Sequence, residues 1–531
     1  MSISDSEETS IGLEMKISER KLSKRVTEDV MKKTMESDPI QKSISGFGKW
    51  QFMVFVTVCL LKFPVAWHQM SIIFLSPKID YSCIEPEGFN GTLDKCDARC
   101  NGHEFDRSVF TETISTQWNL ICSQNQLGDT SQMIFMFGIL IGNVLFGSLA
   151  DKFGRRGPLV IAVLIQLVTG VATAFAPWFW LFCFLRFLTA LATGGTMLTS
   201  FVLIMEIIGV KWRELLSVIY QIPFNLGHLT LPVFAYFIRD WRYLQLALSI
   251  PSVLLISYYW LIPESPRWLI TMGRLDEATK ILTKAAEMNK MPTDGISKNI
   301  DSLAKPKDSE AHVKKGNMMD LVRTPNMRIK TFVMCFDWFV CGIAFFGVAQ
   351  YVGQLSGNIF INVAISAAIT LPGTVLGIYC TKAWGRRYTL IAANTLAGAS
   401  MLAIAFVPKT YSTTIVTLAS SAMIGMSISF PTSYLYAGEI YPTVVRNIGM
   451  GTSSMIARVG SMIAPFVVGA DKAAPWLPPV IFGIVPIIGA LLTFLLPETK
   501  GAPLPETIED GENFGKKIPV DTKGDVEAAG Q

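Results

Sequence analysis

The sequence predicts an all-α membrane protein, with about 12 transmembrane helices in two pseudo-symmetric six-helix bundles. Half of its 531 residues are hydrophobic and only 17% are charged, a composition typical of proteins that cross a membrane many times. Apolar runs recur along the chain, and each is close to the roughly 20 residues that a helix needs to cross a bilayer. One set of motifs also occurs twice in the same order, which indicates an internal duplication.

The duplication is clearest in a short basic turn between two apolar runs. The turn at 147–156 ends in Gly-Arg-Arg, and the same three residues recur at 385–387, which is 231 positions later (from 154 to 385). Two further motifs repeat at nearly the same spacing: Glu206 with Arg213 recurs as Glu439 with Arg446, and Pro263-Glu264-Ser265 recurs as Pro497-Glu498-Thr499. Each half is therefore expected to form one bundle.

These motifs resemble those of the major facilitator superfamily. Three further stretches resemble its organic cation, anion and carnitine transporter family: Trp118–Cys122, Asp240–Gln245 and Tyr258–Trp260. The likeness runs from about residue 46 to residue 501, nearly the whole chain. It implies a plasma-membrane carrier that moves small organic ions by alternating access of the two bundles.

The chain divides into five regions. They are a tail at 1–48, a first bundle at 49–262, a central segment at 263–328, a second bundle at 329–500 and a tail at 501–531. The first tail lacks the apolar core of a cleaved signal peptide. Because short loops rich in Lys and Arg stay inside and the span count is even, both tails and the central segment are expected in the cytoplasm.

Each bundle contains six apolar runs. The predicted spans are 50–75, 131–150, 158–176, 178–204, 214–237, 243–262, 329–352, 357–381, 388–407, 411–437, 447–468 and 477–496. In the central segment, apolar residues spaced three and four apart predict an amphipathic helix over 274–290. The polar stretch 292–316 is expected to be a linker.

The loop at 76–130 contains a glycosylation sequon at Asn90 and four of the nine cysteines. The cysteines are Cys83, Cys96, Cys100 and Cys122. A sequon beside an even number of cysteines is typical of an oxidising, extracellular compartment, so we expect glycosylation and disulfides here. Four cysteines allow three pairings, and the sequence leaves all three open.

Enzyme chemistry is not expected. The chain has no phosphate-binding Gly-rich loop, and its four histidines have no metal-ligand spacing, so no cofactor or metal is predicted. The net charge of +4 comes from cytoplasmic cations and does not indicate nucleic acid. The expected partners are a small organic ion and the lipid bilayer, with a counter-transported ion as a further candidate, and the protein is expected to function as a monomer.

Charges inside the predicted spans mark the candidate substrate site. A charged side chain at the bilayer centre costs roughly 2.5–3.5 kcal/mol, so such residues usually face a cavity or a partner. The candidates are Lys62, Arg186, Asp337 and Arg458, with Trp338, Phe345, Phe346 and Tyr434 as aromatic partners for an ammonium group. The alternative for Asp337 is an ion pair with Lys62 that only holds spans 1 and 7 together.

Arg458 gives the strongest indication of substrate charge. Residues 457–461 resemble the anion- and carnitine-handling members of the family, and an arginine fork suits a carboxylate. Thr374, however, stands where several anion transporters have a lysine. A substrate with both a carboxylate and an amine, carnitine-like or β-amino-acid-like, fits this mixture best.

A second group of charges is expected to gate transport. These residues lie near the cytoplasmic ends of the spans: Asp151, Arg155, Arg156, Glu206, Arg213, Arg386, Arg387, Glu439 and Arg446. In the family, residues at such positions pair across the two halves when the carrier is open outward. Lys382 replaces the acid expected from the first copy, so the latch should be stronger around Asp151.

Two other functions compete with a carrier for carboxylate-bearing organic ions. An organic anion exchanger belongs to the same class, and a transport-inactive receptor or scaffold belongs to another. The duplicated charges and the charges at membrane depth argue against an inactive protein. A sugar carrier is less favoured, because sugar sites use Gln and Asn, whereas this site is charged.

Overall fold

The structure is a computed structural model that describes most of the chain. The described residues are 39–84, 95–97, 100–297, 300, 317–408, 410–472, 474–502 and 504–515. Asn90, most of both predicted tails and residues 301–316 of the predicted linker lie outside them. Among the described residues, nine helices are long and apolar enough to cross a membrane, and the helix Leu477–Thr493 is apolar but shorter.

Every predicted span corresponds to helical structure. Spans 1 to 6 are Lys49–Leu75, Gln126–Phe153, Arg156–Ala174, Phe179–Ile207, Val210–Ile219 continued by Ile222–Phe237, and Trp241–Leu261. Spans 7 to 12 are Pro325–Gly353, Ile359–Trp384, Arg386–Ile404, Ser412–Ile440, Arg446–Gly469 and Leu477–Thr493. The helical pattern of the sequence therefore predicted the positions of the elements to within a few residues.

The remaining elements are short. They are the helices Pro39–Ile44, Ile114–Gln117, Pro266–Thr271, Leu275–Met288, Asp320–Arg323 and Ile508–Asn513, the 3-10 turns Cys122–Gln124 and Ala470–Lys472, and the strands Tyr81–Cys83 and His103–Phe105. Leu275–Met288 is the predicted amphipathic helix, and it buries Ala278, Leu282 and Ala285. It packs against the first described helix, where the Asn289 side chain donates to the Ile44 carbonyl at 2.7 Å.

Spans 1 and 5 are broken, although the sequence suggested continuous helices. Span 1 consists of Lys49–Cys59, Lys62–Met70 and Ile72–Leu75. Its first break comes at Leu60, four residues before Pro64, and span 5 breaks after Ile219, four residues before Pro223. A proline has no N–H, and its ring clashes with the carbonyl four residues earlier, which accounts for both positions.

The two halves meet along two pairs of helices. Span 2 packs against span 11, and span 5 packs against span 8. The cavity described below lies between these pairs. This arrangement brings the broken part of span 5 next to residues of the second half.

The loop after span 1 is held by two disulfides. Cys83 is bonded to Cys100 and Cys96 to Cys122, which selects one of the three pairings that the sequence left open. Cys83 also lies at the end of a two-stranded antiparallel sheet, opposite His103. The side of the protein that carries this loop is called the disulfide side below, and the opposite side, which carries the two Gly-Arg-Arg turns, is called the basic-turn side.

Candidate functional site

A small cavity lies between the two halves of the molecule. Its volume is about 50 Å³. The lining residues are Gln69, Met197, Gln221, Phe224 and Asn225 from the first half and Phe345, Phe346, Thr374, Ser427, Phe430, Pro431 and Arg458 from the second. The sequence had pointed to three of these residues, Arg458, Phe345 and Phe346, as substrate-binding.

Arg458 is the charged residue of this cavity. Its side chain is 4% exposed, and the helix Arg446–Gly469 carries it into the space between the halves. The Nε atom has no hydrogen-bond partner among the described residues, and none of their carboxylates forms an ion pair with this guanidinium. A buried cation without a counter-charge is costly, which makes an anionic ligand group favourable at this position.

Aromatic rings form one wall of the cavity. The rings of Phe345 and Phe430 have centroids 6.0 Å apart, and Phe345 also lies 6.4 Å from Phe224 of the first half. Two other predicted aromatics, Trp338 and Tyr434, do not line the cavity. Their rings pack against each other at a tilt of 60°, with centroids 4.2 Å apart, behind Phe430, so they support the wall and lie one layer away from the open space.

A hydrogen bond joins the two halves at the cavity. The side-chain amide of Asn225 in span 5 donates to the Thr374 hydroxyl in span 8 at 3.1 Å, and both side chains are buried. Asn225 was not singled out from the sequence, because an uncharged amide in an apolar run gives little signal. Thr374 had been noted only as a departure from a lysine.

Lys62 lies beside the cavity and does not line it. The side chain is 3% exposed, and its ammonium group stands over the Tyr220 ring at 4.1 Å from the centroid. This contact joins the break in span 1 to the break in span 5. Arg458 is near enough to repel Lys62 electrostatically, and Asp337 does not pair with it. The cavity is therefore lined by one basic side chain, Arg458, and flanked by a second, Lys62.

Two predicted substrate residues lie elsewhere. Asp337 is fully buried inside the second half, where its carboxylate accepts hydrogen bonds from Thr493 at 3.0 Å and Asn394 at 3.4 Å. The suggested ion pair between Asp337 and Lys62 is absent. Arg186 donates to Gln132 at 3.0 Å inside the first half, and its guanidinium faces the Phe135 ring at 4.7 Å. Each group finds its contacts inside one half, although the Nε atom of Arg186, like that of Arg458, has no hydrogen-bond partner among the described residues.

The first basic turn forms a compact ion cluster. Arg155 binds Glu206 through two nitrogens, the shorter distance being 2.7 Å, and Asp151 at 3.0 Å. Glu264 accepts the backbone N–H groups of Arg155 and Arg156 at the start of span 3. Gly154 has a φ of +95°, and a Cβ there would collide with this carboxylate, so glycine is required.

The second basic turn repeats this geometry. Arg386 binds Glu439 at 2.6 Å, and Glu498 accepts the backbone N–H groups of Arg386 and Arg387. The equivalent arginines Arg213 and Arg446 also have equivalent contacts. Arg213 donates to the carbonyl of Ile208, and Arg446 donates to the carbonyl of Tyr441. Glu264 and Glu498 were visible in the sequence repeat, but their capping role was not predicted.

The ion pairs of the basic turns join helices of the same half. Arg155 and Glu206 belong to the first half, and Arg386 and Glu439 belong to the second. The pairing across the halves that the resemblance implies for an outward-open carrier is therefore not the pairing seen here. The carboxylate of Asp151 pairs with Arg155 of its own turn and leaves 79% of the side chain exposed, while its backbone carbonyl accepts from the Trp268 indole at 2.9 Å.

Contacts between the halves close the disulfide side. The rings of Phe74 and Phe360 stack with centroids 5.8 Å apart and an angle of 6° between their planes. Lys78, just after span 1, pairs with Asp471, just after span 11, at 3.2 Å. The central cavity is thus covered on this side by a ring stack and an ion pair.

Comparison with known proteins identifies related sequences and folds. The profile of the sugar (and other) transporter family matches residues 104–510. An organic cation transporter protein of Drosophila melanogaster is 36% identical over 524 residues, covering 91% of this chain and 96% of the relative. Solute carrier family 22 member 3 of Mus musculus is 38% identical over 405 residues, covering 76% of this chain and 72% of the relative. Organic anion transporter 3 of Pongo abelii is 33% identical over 510 residues, covering 90% of this chain and 94% of the relative.

Solved structures give the same fold. The inward-open xylose transporter XylE from E. coli superposes with a TM-score of 0.64 at 20% sequence identity, covering 88% of this chain and 99% of that structure. At this identity the likeness concerns the fold alone. The predicted fold class, two six-helix bundles of the major facilitator type, is confirmed.

Proposed function

This chain belongs to the organic cation and anion transporter family (solute carrier family 22) of the major facilitator superfamily, and we propose that it carries small organic ions bearing both a carboxylate and an ammonium group. The related proteins are transporters, so the prediction that the chain is not an enzyme is confirmed. The observation that carries the proposal is the buried guanidinium of Arg458, which lines the cavity without an acid beside it. A substrate carboxylate could form two parallel hydrogen bonds with this fork.

The aromatic wall supports the second half of the proposal. A quaternary or protonated amine placed against Phe345 or Phe430 would gain roughly 0.5–2 kcal/mol from each ring. A simple cation would gain the same contacts but would meet the charge of Arg458 unopposed. A carnitine-like or β-amino-acid-like ion brings its own negative charge and avoids this repulsion.

An organic anion exchanger is the second candidate. The observation that favours it is the pair of buried basic side chains, Lys62 and Arg458, with no carboxylate lining the cavity among the described residues. Two such groups would suit a dianion better than a zwitterion. The two candidates therefore differ in whether the substrate needs an ammonium group.

The size of the cavity supports transport by alternating access. A volume of about 50 Å³ is far below the roughly 300–1,000 Å³ of typical ligand pockets, so the halves must separate to admit an organic ion. In this proposal the ion pairs of the two basic turns hold each half together while the basic-turn side is open. Asp151, exposed here, would exchange its contact for one across the halves when that side closes.

The proposed location is the plasma membrane, with the disulfide side outside and both termini in the cytoplasm. The supporting observations are the two disulfides in one loop and the basic turns on the opposite side. Asn90 should then carry a glycan, and glycosidase treatment should lower the apparent mass of wild type but not of Asn90→Gln. An unchanged wild-type band, with Cys83 labelled by an impermeant thiol reagent without reductant, would contradict this topology.

Uptake in oocytes tests the substrate charge. The panel contains L-carnitine, an aromatic monocarboxylate and tetraethylammonium, and each is measured in wild type, Arg458→Ala and Arg458→Lys at matched surface expression. Arg458→Ala should lower carnitine uptake at least about tenfold, the effect of losing roughly 1.4 kcal/mol, and should spare tetraethylammonium. Arg458→Lys should recover little, because a point charge does not reproduce the fork.

The control is Arg323→Ala, which removes an arginine whose side chain is 79% exposed and distant from the cavity. It should leave all three uptakes unchanged. Strong uptake of the monocarboxylate with weak uptake of carnitine would favour the anion exchanger. Strong tetraethylammonium uptake with weak carnitine uptake, or an equal effect of Arg458→Ala on all three, would overturn the proposal. No uptake of any compound would favour a receptor.

A further inference from the structure

A second and larger cavity opens on the disulfide side, outside the closure formed by Phe74 and Phe360. Its volume is about 490 Å³, and both halves contribute to its lining. We call it the vestibule, and the residues used here are Lys78, Asp80, Asp106, Arg239, Ser356 and Phe360. None of them lines the central cavity, so the vestibule is a separate space on the way to it.

Arg239 has the geometry of a carboxylate receptor. Its guanidinium packs against two neighbouring rings, 5.4 Å from the centroid of Tyr236 and 5.8 Å from that of Phe360, and these rings meet edge to face at 5.6 Å. Its backbone is fixed by the N–H of Thr111, which donates to the Arg239 carbonyl at 3.1 Å. The Nε atom donates to the Tyr236 carbonyl, and among the described residues the two terminal nitrogens have neither an acceptor nor an acid. A planar fork held by rings, with its outer edge open, suits a bidentate anion.

The vestibule also presents negative charge. Asp106 lines it, and the backbone N–H of Ser108, 2.9 Å away, lowers the pKa of this carboxyl group, so it is ionised at neutral pH. Asp80 lines the same cavity with 88% of its side chain exposed, and it is paired with Lys95 at 3.9 Å. An ammonium group would find Asp106, with Asp80 nearby, and a carboxylate would find Arg239, so the vestibule offers both signs of charge to one ligand.

We propose that the vestibule binds a small organic zwitterion, with its carboxylate on Arg239, before the disulfide side opens. This inference extends the proposed function, since it places the same class of ligand at an outer site. Phe360 connects the site to the closure, because one face of its ring meets Arg239 and the ring also stacks on Phe74. A ligand bound here would lie next to the Phe74–Phe360 stack, which must separate when the disulfide side opens.

Thiol labelling of the full-length protein in intact cells tests the site without requiring transport. Ser356→Cys places a thiol in the vestibule, where the Ser356 side chain is exposed. The native background is low, because four cysteines form disulfides and four of the five free ones are buried. Rates are measured with an anionic and a cationic impermeant methanethiosulfonate reagent, each with and without glycine betaine.

In Ser356→Cys, betaine should slow labelling by the anionic reagent at least about fivefold. Adding Arg239→Gln should lower the ratio of anionic to cationic labelling rates by a similar factor and remove the protection. Adding Arg239→Lys should keep the rate ratio but lose most of the protection, because the charge remains and the fork does not. Arg239→Lys also serves if Arg239→Gln fails to reach the surface. The matched control, Arg107→Gln, removes an exposed arginine of the same loop that does not line the vestibule, and it should change neither quantity.

Equal protection by betaine in Arg239→Gln and in the parent would overturn the inference. An equal fall in the ratio of anionic to cationic labelling rates in Arg107→Gln would also overturn it. That result would show that the ratio reports only the overall electrostatic potential of the loop. The two proposals fail separately. Labelling without betaine protection overturns the vestibule site even if carnitine is carried, and protection with no carnitine uptake keeps the vestibule while rejecting the proposed transport.

Discussion

Asp337 lies at the centre of the second half, surrounded by hydrogen-bond donors. Thr493 and Asn394 donate to its carboxylate, and among the described residues no cation forms an ion pair with it. A carboxyl group in this setting organises the packing of spans 7, 9 and 12. It does not face the cavity in which a substrate would bind.

Asp337→Asn should therefore be tolerated. The amide oxygen still accepts from Thr493, so the change should cost about 1 kcal/mol or less and leave KM for an ammonium-bearing substrate within about twofold. Asp337→Ala should lower surface expression much more, because it removes the acceptor of the buried Asn394 amide at a cost of roughly 1–3 kcal/mol, whereas Thr493 can still donate to the Gly489 carbonyl at 2.8 Å. Uptake normalised to surface biotinylation checks both. A large rise in KM for Asp337→Asn at normal expression would contradict this assignment and indicate that Asp337 binds substrate.

The contrast between Asp337 and Arg458 shows what the sequence can say about single residues. Membrane depth identified both as charges that need an explanation, and depth follows from position along a helix. Depth does not tell which side of the helix faces a neighbour. A buried charge can also find its contacts inside one half, as Arg186 does with Gln132 and the Phe135 ring. Uncharged lining residues such as Asn225 carried no comparable signal.

At the scale of helices, the apolar runs located every span, but they did not reveal the breaks in spans 1 and 5. Each break lies four residues before a proline, Pro64 or Pro223, where the proline ring would clash with a carbonyl. Pro431 and Pro465, however, lie inside helices that continue. Neighbouring helices and side chains decide whether a membrane helix tolerates a proline. The breaks matter because they bring Lys62 onto the ring of Tyr220 beside the cavity.

The basic turns were the most predictable elements. Duplication in the sequence predicted that both would fold alike, and they do, down to the positive φ of Gly154 and Gly385. The sequence could not identify the partners within each turn, since Glu264 and Glu498 lie more than a hundred residues along the chain. Only the three-dimensional arrangement brings these acids to the start of spans 3 and 9.

At the scale of the whole molecule, the sequence predicted two bundles but not the state in which they rest. Two states of a carrier can differ by only a few kcal/mol, and one sequence must be compatible with both. In the structure, the disulfide side is closed by the stack of Phe74 on Phe360 and by the pair of Lys78 with Asp471. These contacts must break when that side opens.

The ion pair between Lys78 and Asp471 can be tested by exchanging its charges. Asp471 leaves 14% of its side chain exposed and Lys78 leaves 47%, so this partly screened pair should contribute about 0.5–1 kcal/mol to closure. Asp471→Lys alone places two cations together and should favour the open disulfide side.

The measurement is the rate at which an impermeant cationic thiol reagent, added on the disulfide side, labels Gln69→Cys, a position of the central cavity that the closed side covers. Asp471→Lys should raise this rate about threefold or more, and the double exchange with Lys78→Asp should restore it, because the attraction is re-formed with its polarity reversed. The matched exchange of Arg274 with Glu277, an exposed pair at 2.6 Å in the central segment on the basic-turn side, should leave the rate unchanged. If the double exchange labels as fast as Asp471→Lys alone, the pair does not hold this side closed, and the ring stack of Phe74 and Phe360 remains as the contact between the halves.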